Sequence, residues 1–196
     1  FNNTMRNIKI LFSVILLGAI FSGCGYNTMV EKQEAVASQW GNVQNAYQRR
    51  ADLIPNLVAT VKGYAVHEQE TLAKVTEARA KATQITIDPE NLTEENIREY
   101  QRAQAELSEA LSRLLLIQEN YPDLKANQNF LALQDELAGT ENRISVERNK
   151  FNQLVQEYNA YIRKFPQIIY AGLFGFKPKA YFQAADEAQT ATKVQF

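Results

Sequence analysis

Large apolar side chains recur along this chain in alternating steps of three and four, the period of a helix that buries one face. Between Met29 and Ile54 the stripe is Val36, Trp40, Val43, Tyr47 and Ile54, with Arg50 filling the one gap. A second stripe runs Leu57, Val61, Tyr64, Glu68, Leu72 and Val75 and ends near Thr83, ahead of the extended-looking run Gln84-Ile85-Thr86-Ile87 and Asp88-Pro89. In the third, Thr93 is placed to cap a helix carrying Ile97, Tyr100, Leu107, Leu111, Leu114 and Tyr121, which Pro122 closes. The fourth is the most sustained: Phe130, Leu133, Leu137, Glu141, Ile144, Arg148, Phe151, Val155, Tyr158, Ile162 and Phe165. At about 1.5 Å per residue it could approach roughly 60 Å, with a kink near Gly139 or an end that projects beyond its neighbours.

No strand-like alternation of comparable length occurs, so the pattern predicts an all-α fold, an antiparallel bundle of long helices over residues 28–165. Four helices is the simplest count. Pro55 leaves it open, because Asp52-Leu53-Ile54-Pro55 could start a new helix or kink one long helix. Residues 166–196 form a separate C-terminal stretch. Its apolar part, Pro166 to Phe176, suits one short helix folded back on a bundle end, with a membrane or partner contact as the less favoured reading. The last twenty residues lack a period and read as extended or mobile.

Residues 1–23 read as a targeting segment. Met5, Arg6 and Lys9 make a basic start, and Ile10 to Phe21 runs twelve residues without a charge before Ser22-Gly23-Cys24. A bilayer-spanning helix needs about 20 apolar residues, so a spanning helix would be short, although an uncleaved anchor is the alternative. Residues 1–4, ahead of Met5, read as upstream of that segment and are set aside. Phe21-Ser22-Gly23-Cys24 resembles a bacterial lipobox, with Phe where Leu is commoner. On that reading the chain is cut before Cys24, the Cys24 thiol is the lipid anchor, and residues 24–27 are a short linker. Several acyl chains hold a protein at a bilayer where one would not.

Composition narrows the chemistry. The chain has 21 Lys plus Arg against 22 Asp plus Glu, a formal net charge of −1, which offers no excess to neutralise a nucleic-acid backbone. A single Cys and a single His leave no disulfide framework and no Cys- or His-rich metal site. His67-Glu68-Gln69-Glu70-Thr71 lacks the second His of a zinc-protease helix, and the residue three before His67 is Tyr64 rather than the Glu of a di-iron bundle. No glycine-rich phosphate loop is present, so no cofactor and no catalytic residue is expected.

Four charges fall where the stripes call for apolar side chains: Arg50, Glu68, Glu141 and Arg148. Unpaired, each would be costly, so opposite charges on different helices are expected to pair and fix register. The alternative is a polar interhelical groove for a ligand or peptide, to which Arg49, Asp52, Asn56 and Lys62 would contribute.

Several blocks of residues carry a resemblance. Trp40-x-x-Val43, Tyr47-x-Arg49-Arg50-x-Asp52-Leu53-Ile54-Pro55-Asn56-Leu57-Val58 and Thr60-Val61-Lys62-Gly63-Tyr64 strongly resemble the LemA family. The match continues in Ala78-Arg79-Ala80, Glu119-Asn120-Tyr121-Pro122, Thr140-Glu141-Asn142-Arg143-Ile144 and Tyr158-Asn159. The resemblance implies a membrane-anchored bacterial protein with a long-helix bundle, no established enzymatic activity and no known cofactor. Family genes often neighbour those of membrane zinc metallopeptidases and TPM-domain proteins, which implies envelope protein partners. Together these readings predict a lipid-anchored, non-catalytic scaffold or adaptor on the extracytoplasmic side of a bacterial membrane, or else a module that binds a ligand in its groove.

Overall fold

The computed structural model describes the backbone of residues 2–183, and the side chains of residue 7 and residues 25–183. The side chains of Cys24 and of the apolar run therefore lie outside what is described. Six α-helices follow one another: α1 Asn2–Tyr64, α2 Gln69–Gln84, α3 Glu94–Leu116, α4 Pro122–Lys125, α5 Gln128–Ile162 and α6 Gln167–Phe174. Single 3₁₀ turns at Pro89–Asn91 and Ile117–Asn120 flank α3, and the described residues contain no strand. Helices α1, α2, α3 and α5 run up, down, up and down, as the contacts Arg79 to Ala51, Gln104 to Ala82 and Arg50, and Lys32 to Glu157 require.

Four bundle helices are present, but not with the expected boundaries. Helix α1 runs through Pro55, and it, not α5, is the longest at 63 residues. The second stripe is not one helix. It crosses a turn at residues 65–68, where Ala65 N–H still donates to Val61 and Glu68 N–H closes back on Ala65. Gly63, a poor helix former, sits in the last turn of α1. The turn residues happen to fall at helical spacing, so periodicity could not see the reversal. Other local signals act as read: Thr93 accepts from Asn96 N–H at 3.3 Å, and Asp88 accepts from Glu90 N–H at 2.8 Å. Helix α5 continues unbroken through Gly139.

The continuity of α1 at Pro55 has a specific cause. Proline has no N–H, so the carbonyl of Ala51, one turn earlier, loses its helical donor. Arg79 of α2 supplies another: its Nε–H donates to Ala51 O at 2.7 Å. The vacancy that would weaken α1 thus becomes a cross-link to α2.

Two apolar clusters fill the bundle. The distal cluster joins Ile54, Leu57 and Val61 of α1 to Leu72 and Val75 of α2, Leu107, Leu111 and Leu114 of α3, and Phe130 and Leu137 of α5. In the proximal cluster Trp40 is the centre: its ring meets Tyr100 at 5.3 Å, Phe151 at 5.6 Å and Phe182 at 5.8 Å, and its Nε1–H donates to Ile87 O at 3.0 Å. Helix α2 is too short to reach this half. Two segments without helix take its place, residues 85–88 and the C-terminal strip 176–183, the strip fastened just before α3 by Ala180 N–H donating to Leu92 O at 3.0 Å. The described part of the tail expected to be extended or mobile is therefore fastened to the bundle. Asn152 and Asn159 each exchange a pair of hydrogen bonds with it, at Phe182 and Lys179, and Lys179 Nζ donates to Pro89 O and Glu90 O at 2.9 and 2.8 Å.

Pro55 and Arg79 should be energetically coupled. Arg79→Leu is expected to destabilise the wild-type chain by about 1–2 kcal/mol. In a Pro55→Ala background, where an N–H again satisfies Ala51, the same change should cost clearly less; urea denaturation of the four proteins in a double-mutant cycle measures the difference.

Candidate functional site

Among the described residues the most elaborate polar arrangement lies between the two apolar clusters, around Arg50. This side chain is 1% exposed. The position is one that α1's stripe assigns to the interior, and the long arginine reaches across to two other helices. Nη2 donates to the Gln104 side-chain oxygen at 2.7 Å and to the Gln104 backbone carbonyl at 3.2 Å. Nη1 donates to Ser108 Oγ at 2.8 Å and forms the ion pair with Glu141 of α5. The guanidinium carbon also lies 5.2 Å from the Tyr47 ring centroid, on the negative face of the π system. Gln104 passes the connection on, donating from Nε2 to Ala82 O of α2 at 3.2 Å. One cation thus ties α1, α3 and α5 directly and α2 through one amide. Only Arg50 Nε–H, among the buried side-chain donors and acceptors described, lacks a partner.

A second buried charge was not anticipated. Glu147 of α5 is enclosed, accepting from Gln39 Nε2 at 2.8 Å and from Arg143 Nε at 2.8 Å, with Lys150 Nζ at 3.7 Å. The Gln39 hydrogen bond holds its carboxyl below the usual carboxylate range against the cost of burial, and the charges of Lys150 and Arg143 assist. Further round, burial pushes the Tyr47 hydroxyl up, opposed by the positive charges of Arg148 and Arg50.

The residues expected to matter part company, and Lys62 is simply exposed near the end of α1. Arg50 and Glu141 do meet, across helices and with opposite sign. Arg148 joins no carboxylate among the described residues: it lies along α5 beside Phe182, 4.8 Å from the ring centroid, and donates to Gln183 O at 3.0 Å, holding the C-terminal strip. Glu68 is not inside a helix at all but stands immediately before α2 with no capping bond from its side chain, where the Tyr121 hydroxyl donates to its carboxylate at 3.4 Å. Asp52 and Asn56 are exposed on α1; Asp52 accepts from Gln48 at 2.7 Å, and the Asn56 carbonyl accepts from Thr60. Arg49 is exposed as well, and lines an open cleft of about 620 Å³ between α1 and α5 with Asn42, Asn45, Glu136, Thr140 and Arg143. Cys24 lies outside the described side chains.

The misplacement on α5 is a phase error of one residue. Leu137 to Ile144 can be bridged through 140 or 141, and Ile144 to Phe151 through 147 or 148, with the same three-four rhythm. The buried choices are Thr140 and Glu147, whereas the side chain of Glu141 is 50% exposed. Gln104 did leave a signal: the third stripe jumps from Tyr100 to Leu107, and the missing step falls on Ala103 and Gln104, both buried. Among the described residues no cluster of three or more His, Cys, Asp or Glu could hold a metal ion.

A family model described as the LemA family matches residues 39–196, most of the chain. This protein belongs to the LemA family. It is 26% identical over 179 residues to Protein LemA of Metamycoplasma hominis, covering 90% of this chain and 78% of that one. It is also 25% identical over 182 residues to Magnetosome protein MamQ 2 of Paramagnetospirillum magneticum and, to the same degree, to Magnetosome protein MamQ of Magnetospirillum gryphiswaldense, covering 84% of this chain and 67% of each of theirs. None of these names is that of an enzyme. The Arg50 layer, its Glu141 partner and the Arg79 brace all lie within the matched LemA region.

Within this LemA bundle the hub bonds differ in weight. Arg50→Met should cost about 2–3 kcal/mol, because it leaves the buried Gln104 side-chain oxygen without its donor and removes the links to Ser108 and Glu141. Glu141→Gln should cost under about 1 kcal/mol, since that carboxylate is half solvated and an amide oxygen can still accept. Guanidinium denaturation at neutral pH ranks the two. The Glu147 carboxylate, with its pKa lowered in the folded state from 4.5, adds stability that is full above that value and is lost as pH falls through the folded pKa. The stability difference between wild type and Glu147→Gln should therefore be constant near neutrality and shrink below about pH 4.5, read from denaturation midpoints across pH.

Proposed function

We propose that this protein is a membrane-anchored, non-catalytic scaffold of the bacterial cell envelope, held at Cys24 by lipid and standing on the extracytoplasmic side. The observation that carries the reading is the single helix α1, whose helical backbone runs without a break from Cys24, the proposed site of the lipid, to Tyr64 at the far end of the bundle. A rod of this kind transmits position from a membrane to a bundle end roughly 60 Å away, at about 1.5 Å per residue from Tyr26 to Tyr64. Its bracing by Arg50 and Arg79 favours a rigid spacer over a body that opens and closes. Arg50 is buried and Arg79 half-buried between helices, and their geometry suits structure rather than turnover. The envelope proteins this scaffold would hold are of the kind the family's gene neighbourhoods suggest, membrane metallopeptidases and TPM-domain proteins.

The cleft between α1 and α5 supports a second reading. Arg49, which has no ion-pair partner among the described residues, and Arg143 face it beside Glu136, an arrangement suited to an acidic or peptide-like ligand.

Cross-linking of the tagged full-length chain in intact cells, with Cys24→Ser alongside, separates these readings. The scaffold predicts a reproducible membrane-protein partner recovered from wild type and at least fivefold reduced in Cys24→Ser, which should also take up no acyl label. Self-contacts alone, together with a ligand-induced rise in melting temperature that Arg49→Ala abolishes, would replace the scaffold with the binding module.

A further inference from the structure

Helix α6 folds back against α1 as expected, but it covers only one of its own faces. Ala171 is buried against the bundle, and Phe174 and Phe176 meet the Tyr26 ring edge-on at 5.1 and 5.7 Å. On the other side Ile168, Ile169 and Leu173 are exposed together, Leu173 to 75%, and Phe165 on the preceding corner to 81%. Exposed apolar side chains gathered on one short element need a cover.

Three observations say what the cover is. The first is height: α6 touches α1 at Tyr26, only two residues past Cys24, the proposed site of the lipid, or about 3 Å along the axis. The second is charge. From residue 158 to residue 185 the chain has no Asp or Glu, while Arg163, Lys164 and Lys177 flank α6 and are exposed. The third is composition, because Phe, Ile, Leu and Tyr on one side with Lys and Arg beside them is how an element seats at a lipid interface, its rings and aliphatics in the acyl boundary and its cations among headgroup phosphates.

We propose that α6 and the Phe165 corner form a second membrane contact, seated in the anionic headgroup region of the same leaflet that holds the Cys24 lipid. The inference rests on the anchored reading given above and adds to it. A single tether leaves a rod free to swing, whereas a tether plus an adjacent apolar foot fixes the tilt of the bundle. Asn159, Tyr158 and Lys179 make the foot rigid from behind: the Tyr158 hydroxyl donates to Lys177 O at 3.0 Å, and Asn159 clamps Lys179.

The test places a reporter on the foot of the full-length chain. Leu173→Trp is reconstituted in vesicles of phosphatidylethanolamine and phosphatidylglycerol, with or without brominated acyl chains. The native Trp40, buried in the bundle, supplies a constant background. Val66→Trp, on the exposed turn at the opposite end of α1, is the control. The emission added at 173 is expected to shift to the blue and to fall at least twofold in brominated lipid, while that added at 66 stays unchanged. Adding Ile169→Asp to Leu173→Trp should abolish the quenching while flotation with vesicles and melting temperature stay as they were. Flotation with unquenched, red emission at 173 would overturn the foot and leave the anchor standing. Blue but unquenched emission would also overturn it, by showing a protein surface as the cover. Failure of the wild-type chain to float would overturn the anchor and the foot together.

Discussion

A guanidinium buried among four helices is the constraint on which this bundle depends. An arginine in an apolar interior is tolerable only if its donors are met, and the oxygens that meet those of Arg50 come from α3 and α5. Each bond has a direction and a length, so the hub sets the register of α3 and α5 against α1 in a way that interchangeable leucines could not. The layer also divides the core into an aromatic half around Trp40 and an aliphatic half around Leu57 and Leu111. Sliding one helix by a turn would break the hub before it disturbed either half.

The second device is the pairing of a defect with its remedy. Pro55 removes a hydrogen bond from the longest helix, and Arg79 on the neighbouring helix replaces it through the carbonyl so exposed. Both are sequence-local events with a tertiary consequence: a helix that would otherwise bend freely is pinned to α2. Together with the antiparallel contact of α1 with α5, this makes the distal half a braced end of a rod. In the proximal half the bracing comes instead from a strip of chain without helix, whose backbone groups are claimed by Asn152, Asn159 and Leu92.

The sequence made the helical class, the Thr93 cap and the burial of Arg50 legible, because each depends on local chemistry or on a long run of period. What escaped did so for identifiable reasons. The α1–α2 turn kept helical spacing through residues 64, 68 and 72 and so left no break in the pattern. On α5 two phases fit the same rhythm, and the choice between Glu147 and Arg148 turned on a rotation of one residue that only packing decides. Helix α6 was read as covered because its apolar count was high, yet eight residues against the end of a bundle can hide only one side. The pairing of Arg79 with Ala51 had a visible half, the proline, and an invisible one, the helix that would come to lie beside it.

If the Arg50 layer joins the two halves as argued, the described bundle unfolds as one unit. Native-state hydrogen exchange on the full-length protein measures this directly. The slowest amides of α1 and α5 on either side of the layer, near Val43 and Leu57 and near Leu137 and Val155, are expected to open with the same free energy and to respond equally to denaturant. If the amides near Leu57 and Leu137 opened at markedly lower free energy than those near Val43 and Val155, the two halves would be independent and the hub would not be the constraint that holds them.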